Sequence, residues 1–433
     1  MNNIFEVKDR VQQEALVSHN KAGGFSTLAM CTGSGKSRCG VLRAQEVVKD
    51  NPNARILLGC FTEDQRDNVW REEFTAWGAS DIYENNVVER VCYASLSKII
   101  QQEFDLCIFD EFHHITENHI LFFEANNIKS ILGLTATPPE DKLKKEIIAT
   151  VAPISFIYPV EQGIKDGVVA PYDIAVVYVD LEAKERTVEA GSKAKPFKQT
   201  ELAAYTYWDQ RYTEETTARQ EFVKENLWPL GWSDNPQYKD PIRIETHKKT
   251  LEPLLKKEAM MSAKVMKSMS KRTRLIYNSH QKAKFIRRLK EEFCEPESRY
   301  LFFLGSIEQC NLLFPGRSFH SQTDATAFEK FKNEEYNMMA AVKAVNEGSN
   351  IKNLDYGIIG QLNSKELDVI QRIGRVIRIR EGHRGKIIIL VLKGTRDEEW
   401  FNKAIKNMKS FISIKKYTPE TFFEDFRQQR LFI

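Results

Sequence analysis

Ser26-Thr27-Leu28-Ala29-Met30-Cys31-Thr32-Gly33-Ser34-Gly35-Lys36-Ser37 leads from an apolar run through a glycine-rich turn into a stretch that suits a helix, Ser37 to Lys49. A short continuous apolar run is what a strand covered on both faces requires. The glycines after it let backbone N–H groups curl around an anion, and the helix N-terminus adds a favourable dipole. Thr32, Gly33, Ser34 and Gly35 then form a phosphate cradle, Lys36 reaches the β- and γ-phosphates, and the Ser37 hydroxyl ligates Mg²⁺. Met30 stands where the strict G-x-x-x-x-G-K-[ST] pattern has glycine, so alone the segment also fits an ordinary glycine turn.

The surrounding chain decides between the two. From Phe25 to Thr137 short apolar runs alternate with polar, helix-compatible stretches, giving strands at Ser26 to Met30, Arg55 to Cys60, Val87 to Tyr93, Leu106 to Phe109 and Ser130 to Leu134. The rhythm restarts at Tyr300 to Leu304, Met338 to Val342, Tyr356 to Ile359 and Lys386 to Leu392, which implies a second α/β unit. Between the units, Ile174 to Val179 reads as a strand and Glu182 to Arg243 is polar and rich in aromatics, with Trp208, Trp228 and Trp232 among Tyr205, Tyr207, Tyr212 and Tyr238. We expect residues 1–155 to form the first unit, 156–265 a linker strand with an accessory insertion, and 266–433 the second unit. The insertion's aromatics either build a small core or stack on bases.

Leu106-Cys107-Ile108-Phe109-Asp110-Glu111-Phe112-His113-His114 is an apolar strand ending in two carboxylates. Groups at the C-terminal end of a parallel strand face the ligand crevice. Asp110 suits a Mg²⁺ ion held through water, and Glu111 suits taking a proton from water that attacks a γ-phosphate. Alone, the carboxylates also fit a solvated loop. The two histidines lack the further ligands at suitable spacing that zinc needs. The seven cysteines form no C-x-x-C pair and mostly sit in apolar runs, so reduced core thiols are expected.

Phosphate loop, D-E-x-H and Thr135-Ala136-Thr137-Pro138-Pro139, in this order, resemble motifs I, II and III of the superfamily 2 helicases, the DEAD/DEAH-like nucleic-acid-dependent ATPases. Ala344-Val345-Asn346-Glu347-Gly348-Ser349-Asn350 is similar to motif V. Gln371-Arg372-Ile373-Gly374-Arg375-Val376-Ile377-Arg378 matches motif VI. Arg375 and Arg378 lie about one helical turn apart, so both guanidiniums can face the same phosphates. The resemblance covers residues 9–150 and 270–400. It implies two RecA-like parallel-sheet domains of the P-loop NTPase type with a mixed insertion, ATP and Mg²⁺ as cofactors, and arginine fingers at Arg375 and Arg378 beside Gln371. It further implies that Gln12 reads adenine and Gly348 contributes to the nucleotide site. His113, Thr135 and Thr137 then couple hydrolysis to motion, and Thr62, Ser95, Ser306 and Asn346 contact nucleic acid.

With 42% hydrophobic and 28% charged residues, the composition excludes a disordered tail and leaves room for about two or three domains. No run approaches the roughly 18 apolar residues of a membrane span and the N-terminus lacks a secretion signal, so a cytoplasmic, non-membrane location is expected. The net charge of +3 hides a split: residues 1–150 carry 16 Lys+Arg against 22 Asp+Glu, the remainder 47 against 38. A basic excess fits a polyanion partner, and solvated faces give a similar imbalance. Lys271, Arg272, Arg274, Arg287 and Arg288 fit either reading.

The motif set resembles the restriction-motor and branch-migration helicases, so DNA, duplex or branched, is the expected partner, and no particular protein partner is read from it. RNA-dependent ATPase is the alternative enzyme. A non-hydrolysing nucleic-acid clamp is disfavoured because Lys36, Asp110, Glu111 and both arginines are present. A small-molecule P-loop kinase leaves the second unit unexplained.

Overall fold

The computed structural model describes residues 4–136, 138–139, 141–169, 172–192, 194–235, 238–342, 351, 353–362, 385–405, 413–428 and 431. Helix α1 (Ile4–Lys21) repeats its apolar residues at helical spacing, so Val7, Val11, Ala15 and His19 fall on one buried stripe with Gln12 and Leu16. It packs on strand β1 (Phe25–Met30). Around β1 stand β2 (Ile56–Cys60), β3 (Val87–Cys92), β4 (Leu106–Phe109), β5 (Ile131–Thr135) and β6 (Ile154–Tyr158), in the order β3-β2-β4-β5-β1-β6. Every paired neighbour in this sheet is parallel. The inner strands are buried along their whole length, as continuous apolar runs demand.

The chain next adds β7 (Tyr172–Val179), the hairpin β8 (Val188–Ser192) and β9 (Lys195–Gln199), and then β10 (Tyr300–Phe303) and β11 (Ser318–Phe319). After these come β12 (Met338–Ala341), β13 (Tyr356–Ile359), β14 (Gly385–Leu392) and β15 (Ser413–Tyr417). The second parallel sheet runs β11-β12-β10-β13-β14-β7-β15. Ile387 through Leu392 are each completely buried at its centre, at roughly 1.5–3 kcal/mol per side chain relative to exposure. The strand expected within the linker therefore has a different place. β7 pairs with β14 from Tyr172 opposite Gly385 to Val179 opposite Leu392, because a strand apolar on both faces is satisfied only inside a covered sheet.

Two long helices, α4 (Glu201–Phe222) and α5 (Lys248–Tyr277), pack along each other to form the body of the insertion; α2 (Lys36–Asp50) and α3 (Trp70–Ala76) belong to the first unit. Lys198 and Gln199 pair across the hairpin, and the Thr200 side chain caps α4 by accepting from Ala203 N–H. Phe222, Val223, Leu227 and Leu251, with Trp232 against them, form a separate small core. Trp228 and Tyr238 stay exposed, so the aromatics divide between core and surface. All seven cysteines are free thiols. Among the described residues no helix is long and apolar enough to cross a membrane.

In the second unit α6 (His280–Glu292) and α7 (Arg396–Ala404) meet through a buried ion pair. Lys282 Nζ lies 2.6 Å from Asp397 Oδ2 and donates to the Gly360 carbonyl at 2.8 Å, while Leu392 N–H donates to the same carboxylate oxygen at 2.9 Å. Neither side chain is more than 1% exposed. Removing one charge strands the other without solvent, so Lys282→Met is expected to cost about 3–5 kcal/mol in urea unfolding. Lys282→Met/Asp397→Asn is expected to recover roughly half of that loss.

Candidate functional site

Five strand ends build the site. At the end of β1 the chain turns through Thr32 and Gly33, and the turn is anchored by Cys31 N–H donating to the Tyr158 carbonyl at 2.8 Å. Ser34 is fully buried and its hydroxyl donates to the Cys31 carbonyl at 2.7 Å. Gly33 and Gly35 have φ of 89° and 88°, in the left-handed region that only glycine enters freely. At Gly35 a Cβ would also stand 2.1 Å from Gln12 Nε2. Lys36 and Ser37 open α2 half-buried, with backbone N–H groups and helix dipole beside them.

The Gln12 amide donates to the Ser34 carbonyl at 2.8 Å and accepts from Arg38 at 2.5 Å, and Arg38 pairs with Asp9 at 2.7 Å. The residue expected to read adenine thus has both ends of its amide engaged in this structure, holding the loop through α1.

β4 delivers the carboxylates. Asp110 N–H still donates to Gly59 of β2, so the residue is fixed by the sheet. Its Oδ2 accepts from the buried Trp70 indole at 3.2 Å and its Oδ1 from Glu111 N–H at 3.0 Å. Burial and the neighbouring Glu111 carboxylate raise the Asp110 carboxyl well above the usual range, opposed by the Lys36 charge. Such a carboxyl suits a bound cation, which would favour the ionised form. Glu111 itself has φ 49° and ψ 51°, a conformation that costs a non-glycine residue of order 1–3 kcal/mol. Its Oε2 is buried without a hydrogen-bond partner, 3.5 Å from His113 Nδ1. A carboxylate oxygen buried at a strand end without a hydrogen-bond partner is chemically suited to a cation or a bound water.

β5 lies beside β1 with Thr135 opposite Ala29, so motif III stands next to the loop. The buried Thr135 hydroxyl is 3.0 Å from His113 Nδ1. Thr62 follows β2 and Ser95 follows β3, which puts both on the same C-terminal sheet edge as Asp110. Ser306 follows β10 and caps the next helix: its Oγ accepts from Gln309 N–H at 3.1 Å and donates to Asn278. Lys36, Ser37, Asp110, Glu111, His113 and Thr135 therefore gather at the ends of adjacent strands. Thr137, Asn346, Gly348, Gln371, Arg375 and Arg378 lie outside the described residues.

Sequence reading missed three supports. Trp70 holds Asp110, Arg38 holds Gln12, and Gln65 accepts from the N–H groups of Phe61 and Thr62 at 3.2 and 3.0 Å. Only a buried polar side chain in a π-helical turn, Gln65–Val69, marks the last, and such turns concentrate at functional sites. Arg272 is unavailable for any nucleic-acid grip. It is buried against Asp209 at 2.6 Å and over the Tyr212 ring at 4.1 Å. Arg288 pairs with Glu292, whereas Lys271 and Arg287 are exposed.

Comparison with known proteins agrees with this architecture. Residues 6–140 match the family of the res subunit of type III restriction enzymes, and residues 256–380 match the helicase conserved C-terminal domain. The chain is 24% identical over 302 residues to the DNA 3'-5' translocase XPB2 of Sulfurisphaera tokodaii, covering 68% of this chain and 60% of that protein. It is also 24% identical over 411 residues to a putative ATP-dependent RNA helicase of Methanocaldococcus jannaschii, covering 82% of this chain and 50% of that protein. It thus spans between half and three fifths of the length of these relatives. The Hef helicase domain of Pyrococcus furiosus superposes with a TM-score of 0.51 at 16% identity, over 91% of this chain and 97% of that one, which shows the fold.

Gly35→Ala combines backbone strain with displacement of the Gln12 amide. It is expected to weaken binding of a fluorescent ATP analogue, measured by anisotropy, by roughly tenfold or more, since about 1.4 kcal/mol already corresponds to that factor.

Proposed function

As the chain belongs to superfamily 2 of the helicases, we propose that it is an ATP-dependent helicase or translocase acting on duplex or branched DNA. The observation that carries this reading is the meeting of the phosphate loop, the buried Asp110 with Glu111 beside it, and Thr135 on one sheet edge with Thr62 and Ser95. DNA is favoured by the similarity to a DNA translocase and to a restriction-enzyme subunit. RNA is the second reading, supported by the similarity to a putative RNA helicase. A cytoplasmic location is part of the proposal.

Lys36 and the loop N–H groups would hold the phosphates of a bound nucleotide, and Ser37 and Asp110 would hold its Mg²⁺. When bound, the ion supplies charge neutralisation at the phosphates. Glu111 orients the attacking water and accepts its proton. Arg375 and Arg378 would supply positive charge to the phosphates, Gln371 and Gly348 would serve the same nucleotide, and Gln12 would have to leave Ser34 to read adenine. His113 and Thr135 join Glu111 to motif III and its Thr137. Thr62, Ser95, Ser306 and Asn346 grip the strand, so opening and closing of two units around one nucleotide shifts that grip. The first unit extends to Tyr158 so as to include β6, β7 joins residues 266–433 in the second, and the rest of the stretch up to 265 carries the linker and insertion.

Two measurements test this. ATP hydrolysis by the full chain is expected to rise at least about tenfold with forked duplex DNA and less with single-stranded RNA, on the scale of ordinary coupling between sites. Stimulation by RNA alone overturns the DNA assignment. Glu111→Gln is expected to lower turnover by roughly 10²–10⁴ while ATP-analogue binding is kept. An unchanged rate removes the role given to Glu111.

A further inference from the structure

Phe61 is an apolar ring at the edge of the site, 43% exposed, immediately before Thr62. It lies face to face on His114, with centroids 3.5 Å apart and planes within 8°. The His114 ring is 4.2 Å from the ring of His113. His113 in turn reaches Thr135 Oγ1 at 3.0 Å and stands 3.5 Å from Glu111 Oε2. A continuous row of rings thus leads from the Thr62 loop to the carboxylate assigned as general base. From the other end of the same segment, the Trp70 indole donates to Asp110.

We propose that Phe61 and His114 are positioning residues that relay occupancy of the Thr62 loop to the Glu111 carboxylate. The inference rests on the helicase reading above, and it assigns to that site a route by which nucleic acid switches on hydrolysis. Three features support it. First, Gln65 holds the N–H groups of both Phe61 and Thr62, so a strand pressing on Thr62 moves Phe61 with it. Second, packed planar rings cannot interpenetrate, so a sideways shift of Phe61 must displace His114 or break the stack. Third, Glu111 sits in the left-handed region, where the surrounding turn rather than a regular helix or strand sets the carboxylate's direction, and small shifts there change its aim. Coupling through such contacts is ordinarily about 5- to 150-fold.

The full chain with Phe61→Ala, His114→Ala or Phe61→Tyr would be assayed for ATP hydrolysis alone, with forked duplex DNA and with poly(U) RNA, alongside DNA anisotropy and thermal melting. Phe61→Ala and His114→Ala are expected to keep nucleic-acid-free hydrolysis within about twofold. They should also keep DNA affinity within about threefold, yet lose stimulation by roughly tenfold. Phe61→Tyr, which keeps the stack, is expected to restore stimulation. Full stimulation of both alanine variants at saturating DNA overturns the relay. So does weakened DNA binding with an unchanged maximum rate, which would make Phe61 a contact for the strand itself. A fall in basal and stimulated rates alike with a lowered melting temperature also overturns it. If the unaltered chain is stimulated by neither nucleic acid, the helicase reading fails, and the relay fails with it.

Discussion

Asp110 is buried beside the half-buried Glu111, and that position disfavours its charged form unless a cation compensates it. That demand organises the first unit. Lys36 answers part of it from the start of α2, the Trp70 indole and the Glu111 N–H answer another part, and the remainder suits Mg²⁺. The parallel sheet makes the arrangement feasible, because the C-terminal ends of β1, β4 and β5 lie side by side and every connection between them crosses one face or the other. Energy spent on burying carboxylates and on a left-handed Glu111 is recovered in the packing of fully apolar strands.

Much of this was legible in the sequence for one physical reason. Strands covered on both faces are continuous apolar runs, so β4 and β13 lie where composition puts them and β1, β2 and β14 to within a residue. The phosphate loop was legible because its glycines answer a local backbone need at Gly33 and Gly35. Pairing between distant segments leaves no local trace: nothing near Tyr172 announces that its strand lies beside Gly385. Side-chain use was equally hidden. Arg272 and Arg287 look alike in a basic stretch, yet one is buried against Asp209 and the other faces solvent. Gln12 was singled out by the family resemblance, but not its engagement with Ser34 and Arg38.

The insertion illustrates a division of labour among aromatics. Tyr205 is buried and its hydroxyl accepts from Arg396 N–H, tying α4 to the second unit, and Trp232 packs on the small core. Arg219 joins Asp234 and Glu258, each at 2.5 Å, and so ties α4 to α5. A helical arm braced in this way is tied to the second unit at Tyr205.

Whether these strand ends form one ATP-driven motor is read from strand displacement on a forked DNA substrate, followed by fluorescence with the unaltered full chain. Displacement is expected to require hydrolysable ATP and Mg²⁺ and to fall as salt rises, because phosphate contacts release counterions. Movement of the strand that proceeds equally with a non-hydrolysable analogue, or ATP hydrolysis indifferent to any nucleic acid, would contradict a motor.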